Sequence, residues 1–348
     1  MALGLFLLSC GSPPSPSRET APGAESALPP AYIIVCVIHG DGGYLFHDTT
    51  GNEHRADEEA LAGAKLVAER NPRAEVFIFH EKHRRHRLLL FPRHDGEFYY
   101  YRNGQLLAQE SYWRDKGQSR FDPEVDLYGR FRGNEQPQPV RLFLYFGHEI
   151  PEFDGSGYDA SYRHRSFTVH DLVDGLKRFT RDSTKFDLIT LSTCFNGTPH
   201  TISALSPYAR YIIASPGNLH LSYFDLRPFE ALDVVLRDGD VSAFAKRCAQ
   251  QSFDRLTKDI QTEITVAVYD VDRTWEFVKS VDTVYNRTLT SMKEEARKSV
   301  EHCDCAEDSA YVRPAMSEGV EVFFRAARFG RSANKQSHSG WECPKLPK

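Results

Sequence analysis

Two apolar runs, Val140 to His148 (VRLFLYFGH) and Lys185 to Cys194 (KFDLITLSTC), enclose a segment with helical spacing. In that segment Thr168 and Asp171 form a capping box, and Leu172, Val173, Leu176 and Phe179 follow on one helical face. Strand, helix and strand of this kind read as one βαβ unit, whose crossover is right-handed in nearly all known cases, so the two strands run parallel. Their last side chains then emerge at the same edge of one sheet, where open α/β sheets collect their chemistry. Here those last side chains are an imidazole and a thiol.

The earlier chain repeats the pattern. Ala31–His39 is a buried-type strand ending in His39-Gly40-Asp41-Gly42-Gly43. Asp57–Arg70 follows as a helix with Leu61, Leu66 and Val67 on its apolar side, stopped by Asn71-Pro72, and Ala74–His80 is the next strand. A single, mainly parallel sheet flanked by helices is therefore expected. An insertion interrupts it: Leu88–Phe91 and Glu97–Tyr101 read as a hairpin, and Arg102-Asn103-Gly104 as a further tight turn. The basic run Lys82–Arg87 ahead of them reads as a solvated, protease-accessible loop. After Cys194, strands are expected at Tyr211–Ser215, Thr262–Tyr269 and Gly319–Phe324. Helices are expected at Pro228–Leu236 and Val241–Asp259, with a helical stretch broken once over Asp272–Val300.

A net charge of −5 with acids and bases interspersed leaves no electrostatic footprint for a nucleic acid, so none is expected as a partner. The N-terminus reads differently. Ala2–Ser9 is an apolar run suited to a signal peptide, and Leu7-Leu8-Ser9-Cys10 resembles a bacterial lipobox, which makes Cys10 the candidate lipidation site. A basic residue ahead of the run, usual in such signals, is missing. Residues 1–10 are thus assigned to a lipoprotein signal, and 11–30, rich in Pro and Ser, to a disordered tether. The expected location is the bacterial cell envelope, with the protein held to the membrane by its N-terminal lipid, facing the periplasm or exterior as a monomer. An exported chain permits disulfides, so Cys303 and Cys305 are candidates to bridge to Cys343. With His302 and His338 nearby the same residues could instead hold zinc, but Cys-x-Cys is tighter than usual zinc spacing, so no metal is assigned.

A Cys and a His are common residues, and most buried cysteines are inert. The case rests on the two strand ends and on the small or polar residues around them: Gly147, Ser192, Thr193, Asn196 and Gly197. Such neighbours let a substrate backbone approach and leave N–H groups for an oxyanion. Four stretches, HGDGG at residue 39, YFGH at 145, FDLITLSTC at 186 and YARYIIASP at 208, resemble the clostripain-like (family C11) cysteine peptidases, which share the caspase-like fold with gingipains and legumains. That resemblance implies a caspase-like peptidase domain over 31–275, with 276–348 as an extension packed on it, and an endopeptidase acting on polypeptides without a cofactor. It implies Cys194 as nucleophile and His148 as general acid and base, with the backbone N–H groups of Cys194 and Glu149 as oxyanion hole. Candidate substrate contacts are Gly147, Ser192, Asn196, Ser215 and Asp225.

Two departures stand out. Glu149 replaces the Gly that usually follows the family's His, and Ser192 replaces the Asp that reads a basic P1 side chain. Specificity for Arg or Lys is therefore not carried over; a small or uncharged P1 residue is expected, and the chain is expected to stay uncut. His39-Gly40 rivals His148 as the catalytic pair, but the family's His belongs to the strand just before the Cys strand, which favours His148. Two other readings stay open: a catalytically inactive caspase-like lipoprotein that binds polypeptides or a surface partner, and a purely structural α/β lipoprotein.

Overall fold

In the computed structural model of the protein, residues 29–345 are described except for 42–43, 48–50, 84–85, 88–90, 93, 115–120, 134–137, 157, 163–164, 181–183, 220–222, 237–238 and 293–300. Cys10, the tether as far as residue 28, and His220 lie outside the described residues, as do Arg84 and Arg85 of the basic run.

Among the described residues the main sheet has nine strands. In chain order they are β1 (Tyr32–His39), β2 (Ala74–Glu81), β3 (Gly96–Arg102), β4 (Gln105–Tyr112), β5 (Val140–Phe146), β6 (Phe186–Ser192), β7 (Ala209–Ala214), β8 (Ile264–Asp270) and β9 (Val320–Arg325). Across the sheet the order is β9-β8-β7-β6-β5-β1-β2-β3-β4. The strands from β7 to β2 are parallel, and an antiparallel pair is added at each side. All eight β1 residues are buried, as expected of a strand covered on both faces. Ile33, Val35 and Val37 enter one core, while Tyr32, Ile34, Cys36 and Ile38 enter the other.

Helices fill the two layers. On the Cys36 side lie α1 (Ala56–Arg70) and α5 (Val241–Asp259); on the Val35 side lie α2 (Asp122–Phe131), α3 (Val169–Thr180), α4 (Pro199–Leu205) and α6 (Val271–Ser291). The α3 capping box forms as expected, with Thr168 N donating to Asp171 Oδ2 at 2.9 Å and Asp171 N to Thr168 Oγ1 at 3.4 Å. Leu172, Leu176 and Phe179 are fully buried beneath it.

The structure corrects several sequence expectations. The hairpin is β3 with β4, turned by Asn103 (φ 54°) and Gly104 (φ 72°), both left-handed as a two-residue hairpin turn demands. Leu88–Leu90 fall outside the described residues, and Phe91–Pro92 pairs with His86–Arg87 in a small separate ladder. On α1 the buried face is Ala56, Ala60, Ala64, Val67 and Ala68, with Leu61 and Leu66 only half-buried, because alanines let the helix lie close on the sheet. The segment Pro228–Leu236 is a 3₁₀ turn over Arg227–Ala231 followed by one α turn, Leu232–Val235. Helix α2 carried no expectation. Helix α6 runs unbroken across residues 275 and 276, and β9 completes the same sheet. The tail is tied back by the Cys305–Cys343 disulfide and by Trp341, which is buried against Tyr269 and Phe277. Cys303 stays free; His302 engages Glu149 and Phe195, whereas His338 faces Asp304 and Glu342.

Candidate active site

Chain order places β2 on one side of β1 and β5 on the other, so strand order reverses between β1 and β5. A crevice opens at such a reversal, beyond the carboxyl ends of the strands. Asp41 follows β1 and His148 follows β5, and the two meet there with His148 Nε2 3.3 Å from Asp41 Oδ2. Asp41 is 1 % exposed, and its Oδ2 also accepts from Ala160 N at 3.0 Å, so the carboxylate is fixed before it meets the ring. The other side of the His148 imidazole is covered by Tyr44, stacked at 4.3 Å between centroids. Burial first, and then the nearby Tyr158, Asp41, Cys194 and Asp57, hold the Tyr44 hydroxyl well above its ordinary pKa, so it stays a neutral phenol.

Strand β6 lies beside β5 in parallel register, Ser192 opposite Phe146, and Gly147 N continues the ladder to Ser192 O at 3.3 Å. Cys194 and His148 each follow two residues beyond this last pair. Cys194 packs against the same core that holds Phe146 and Tyr44. The thiol donates to Asn218 Oδ1 at 3.4 Å, and its sulfur accepts from Leu219 N at 3.3 Å. An N–H aimed at the sulfur stabilises negative charge there.

Phe195, next in the chain, has φ 47°, a left-handed backbone that costs a non-glycine residue about 1–3 kcal/mol. Its N–H is bonded to Gly217 O at 3.2 Å, and its ring stacks on His302 at 4.6 Å, which holds the turn in place. Asn196 then clamps the loop after His148: its Oδ1 accepts from Ile150 N and its Nδ2 donates to Ile150 O, both at 2.9 Å. Gly147 N and Ile150 N are thus engaged on either side of Glu149, while among the described residues the Glu149 N–H makes no hydrogen bond.

The remaining expected site residues are also placed. Gly147 answers to packing: a Cβ there would meet Tyr158 Oη at 2.7 Å. Ser192 Oγ accepts from Phe224 N at 2.9 Å. Ser215 is fully buried and donates to Thr265 O and Gly217 O, so it pins a turn rather than presenting a hydroxyl. Asp225 is 5 % exposed and bound by Arg227 and Gln251. Burial alone would raise its pKa, but the Arg227 bonds outweigh it and hold the carboxyl below its ordinary value. Asn196, Ser215 and Asp225 therefore spend their polar atoms within the protein. His39 lies on the opposite alternation to Cys194, fully buried, with Nδ1 2.8 Å from Glu81 Oε2 and its ring on Tyr158.

A cleft of about 610 Å³ opens beside His148, lined by Asp41, Glu149, Glu152, Phe195, Tyr285 and His302 among others. Tyr44, Phe195, Asn218 and Leu219, which surround the Cys194 and His148 side chains or turns, were not named from sequence, and Asp41 was named only as part of the HGDGG stretch, without a role. Only Asp41 left a signal, its place at the end of a strand beside a topological reversal.

Helices on both faces of a mainly parallel sheet, with a thiol and an imidazole at adjacent strand ends, define a cysteine peptidase of caspase-like fold. A sequence model of the clostripain family, peptidase family C11, matches residues 147–325, and the chain belongs to that family. Two solved structures share the fold over nearly their whole length. One is an inactive zymogen C11 protease from Parabacteroides distasonis, with TM-score 0.57 and 13 % identity over 91 % of this chain and 93 % of that one. The other is a secreted C11 cysteine protease from Bacteroides thetaiotaomicron, "iotapain", with TM-score 0.59 and 11 % identity over 91 % and 94 %. A search of curated proteins found no match. The protein is a clostripain-family cysteine peptidase acting on polypeptides.

Proposed function

We propose that Cys194 attacks the scissile carbonyl while His148, held by Asp41 and Tyr44, carries the proton from the thiol to the leaving amine. The observation that supports this reading is the β5–β6 register, which ends the two strands side by side at Phe146 and Ser192, each two residues before His148 and Cys194. With Nε2 facing Asp41, the His148 Nδ1 is left to exchange the proton with sulfur. The anionic tetrahedral oxygen is received by the N–H groups of Cys194 and Glu149, an arrangement that does not depend on the Glu149 side chain. The Glu149 carboxylate engages His302 at 3.5 Å, which supports the active reading over the inactive one.

The P1 side chain is read as small or uncharged. Ser192 is occupied by Phe224 N, and Asp225 is neutralised by Arg227, so neither offers a free carboxylate to an arginine or lysine. The protein acts as a monomer, anchored to the bacterial envelope through lipidated Cys10. Hydrolysis of a peptide panel by the purified chain tests the enzymatic reading: turnover is expected after small apolar P1 residues and none in Cys194→Ala. Preferred cleavage after Arg or Lys would overturn the P1 assignment. Fatty-acid labelling of cells is expected to mark the wild type and not Cys10→Ala; an unlabelled wild type would remove the anchor from the account.

A further inference from the structure

Beneath His148, three buried side chains with metal-ligating atoms converge. A ring nitrogen of His39 and carboxylate oxygens of Asp41 and Asp159 lie within 4.8 Å of one another. His39 and Asp159 are fully buried and Asp41 is nearly so. From these positions we infer a binding site for one divalent transition-metal ion of the zinc class, held by His39, Asp41 and Asp159.

Three independent features support the site. The first is an orphan: His39 Nδ1 is bonded to Glu81 Oε2 at 2.8 Å, and the other ring nitrogen, Nε2, is buried without a hydrogen-bond partner among the described residues. A buried imidazole nitrogen left unmatched is costly, yet a carboxylate on one nitrogen is the usual way to fix a histidine whose other nitrogen binds a metal. The second is the bracing of the carboxylates. Asp159 Oδ1 accepts from Ser161 N and Tyr162 N, Asp159 Oδ2 from Arg114 at 3.1 Å, and Asp41 Oδ2 from Ala160 N at 3.0 Å. The third is charge. Asp41, Asp159 and Glu81 bring three carboxylates into one buried group; Arg114 is bonded to both Glu81 and Asp159, while the other buried arginine nearby, Arg165, is already paired with Asp95. A dication restores balance without a further side chain.

Imidazole with carboxylates selects zinc-class ions over calcium or magnesium, which prefer all-oxygen sets. Bonds of about 2.0–2.2 Å would draw the three ligand atoms together by small side-chain movements. A buried water at this position would leave the chain without zinc in the dialysis below. Asp41 would be shared between the ion and His148, so on the catalytic reading above a filled site draws charge away from the imidazole. Metal binding itself does not depend on that reading.

The test uses the full chain carrying Cys194→Ala and Cys303→Ala, which removes the active-site thiol and the free thiol of the tail as competing ligands. After chelator treatment and equilibrium dialysis against zinc, about one zinc per chain is expected, together with a rise in Tm. Cobalt in its place should give visible absorption without thiolate charge-transfer bands. Adding His39→Gln should abolish retention and the Tm rise. Should His39→Gln fail to fold, Asp159→Asn, which keeps an acceptor for Ser161 N and Tyr162 N, is expected to lower retention at least tenfold. Anomalous diffraction at the zinc edge from crystals of the parent should place the ion between the three side chains. No zinc in the parent, undiminished zinc in His39→Gln, or an anomalous peak elsewhere would overturn the assignment.

Discussion

Asp41 shows how a single residue changes the account of the site. The proposed dyad is legible in sequence, since Cys194 and His148 each end an apolar run, but nothing in local patterning links residue 41 to residue 148. Only the reversal of strand order between β1 and β5 brings them within 3.3 Å. If Asp41 orients the ring, Asp41→Asn should lower kcat by on the order of 10²-fold, at the low end of what general acid–base catalysis contributes, while KM stays close to the wild-type value. Kinetics measured in chelator, to keep metals out of the comparison, check this; a change confined to KM would make Asp41 a packing residue only. The converse lesson comes from Ser215 and Asn196. Asn196 was expected to face substrate as a polar neighbour of the Cys and Ser215 as part of the family-like stretch after it, yet their atoms satisfy buried backbone groups. Polarity in a sequence marks a group that needs a partner, and the fold decides whether that partner is substrate or self.

At the level of elements, the loop after β5 depends on one side chain. Asn196 makes both of its bonds to Ile150, holding the turn that carries His148 and Glu149. Asn196→Ala leaves a buried N–H and a buried carbonyl unmatched, at a cost of about 2 kcal/mol or more. Denaturant unfolding should show that loss, and turnover should fall with it; an unchanged midpoint would mean the loop is held elsewhere. Long periodic elements were legible in sequence because one physical signal dominated each. Strand β1 is continuously apolar, α3 carries its cap and its apolar face, and α5 matched residue for residue. The hairpin was misplaced because Leu88–Phe91 is as apolar as a true strand. What selected β3 and β4 was the left-handed pair Asn103-Gly104 together with pairing of β3 on β2. Helix α2 went unseen because its four buried residues, Glu124, Val125, Leu127 and Tyr128, include a charged one. That breaks the apolar spacing on which helix recognition relies.

For the molecule as a whole, buried carboxyl groups set a window of stability in pH. Burial raises the pKa of Asp57, Glu81, Asp225 and Asp304, but is outweighed by His80 and Arg55, by Arg114 and His39, by Arg227, and by hydrogen bonds from Ser339 and Ala306 respectively, so all four lie below their ordinary 3.8 or 4.5. Their contribution is present above those ordinary values and is lost as pH falls through the lowered ones. Glu124 and Glu342 behave oppositely. Burial, joined by Glu81 for Glu124, pushes them up to about 8 and about 9, so the fold holds their protons, and the stability they lend is lost as pH rises from 4.5 toward those values. His338, pushed down to about 4 by burial, is favourable only while neutral and weakens the fold as pH drops from 6.5. The urea midpoint should therefore peak on the acid side of neutrality and decline on both limbs, and Glu342→Gln should flatten the alkaline one. A midpoint independent of pH would contradict these assignments. Nine strands, two helical layers and a disulfide-tied tail exist, on this account, to hold one sulfur at one strand end. The most direct measurement is peptide mapping by mass spectrometry after reaction of the native chain with a peptidyl affinity label bearing an uncharged P1 residue. The account predicts a single adduct on Cys194, absent from Cys194→Ala and greatly slowed in His148→Ala. Modification of Cys303 in preference to Cys194, or equal labelling of the chain after denaturation, would contradict it.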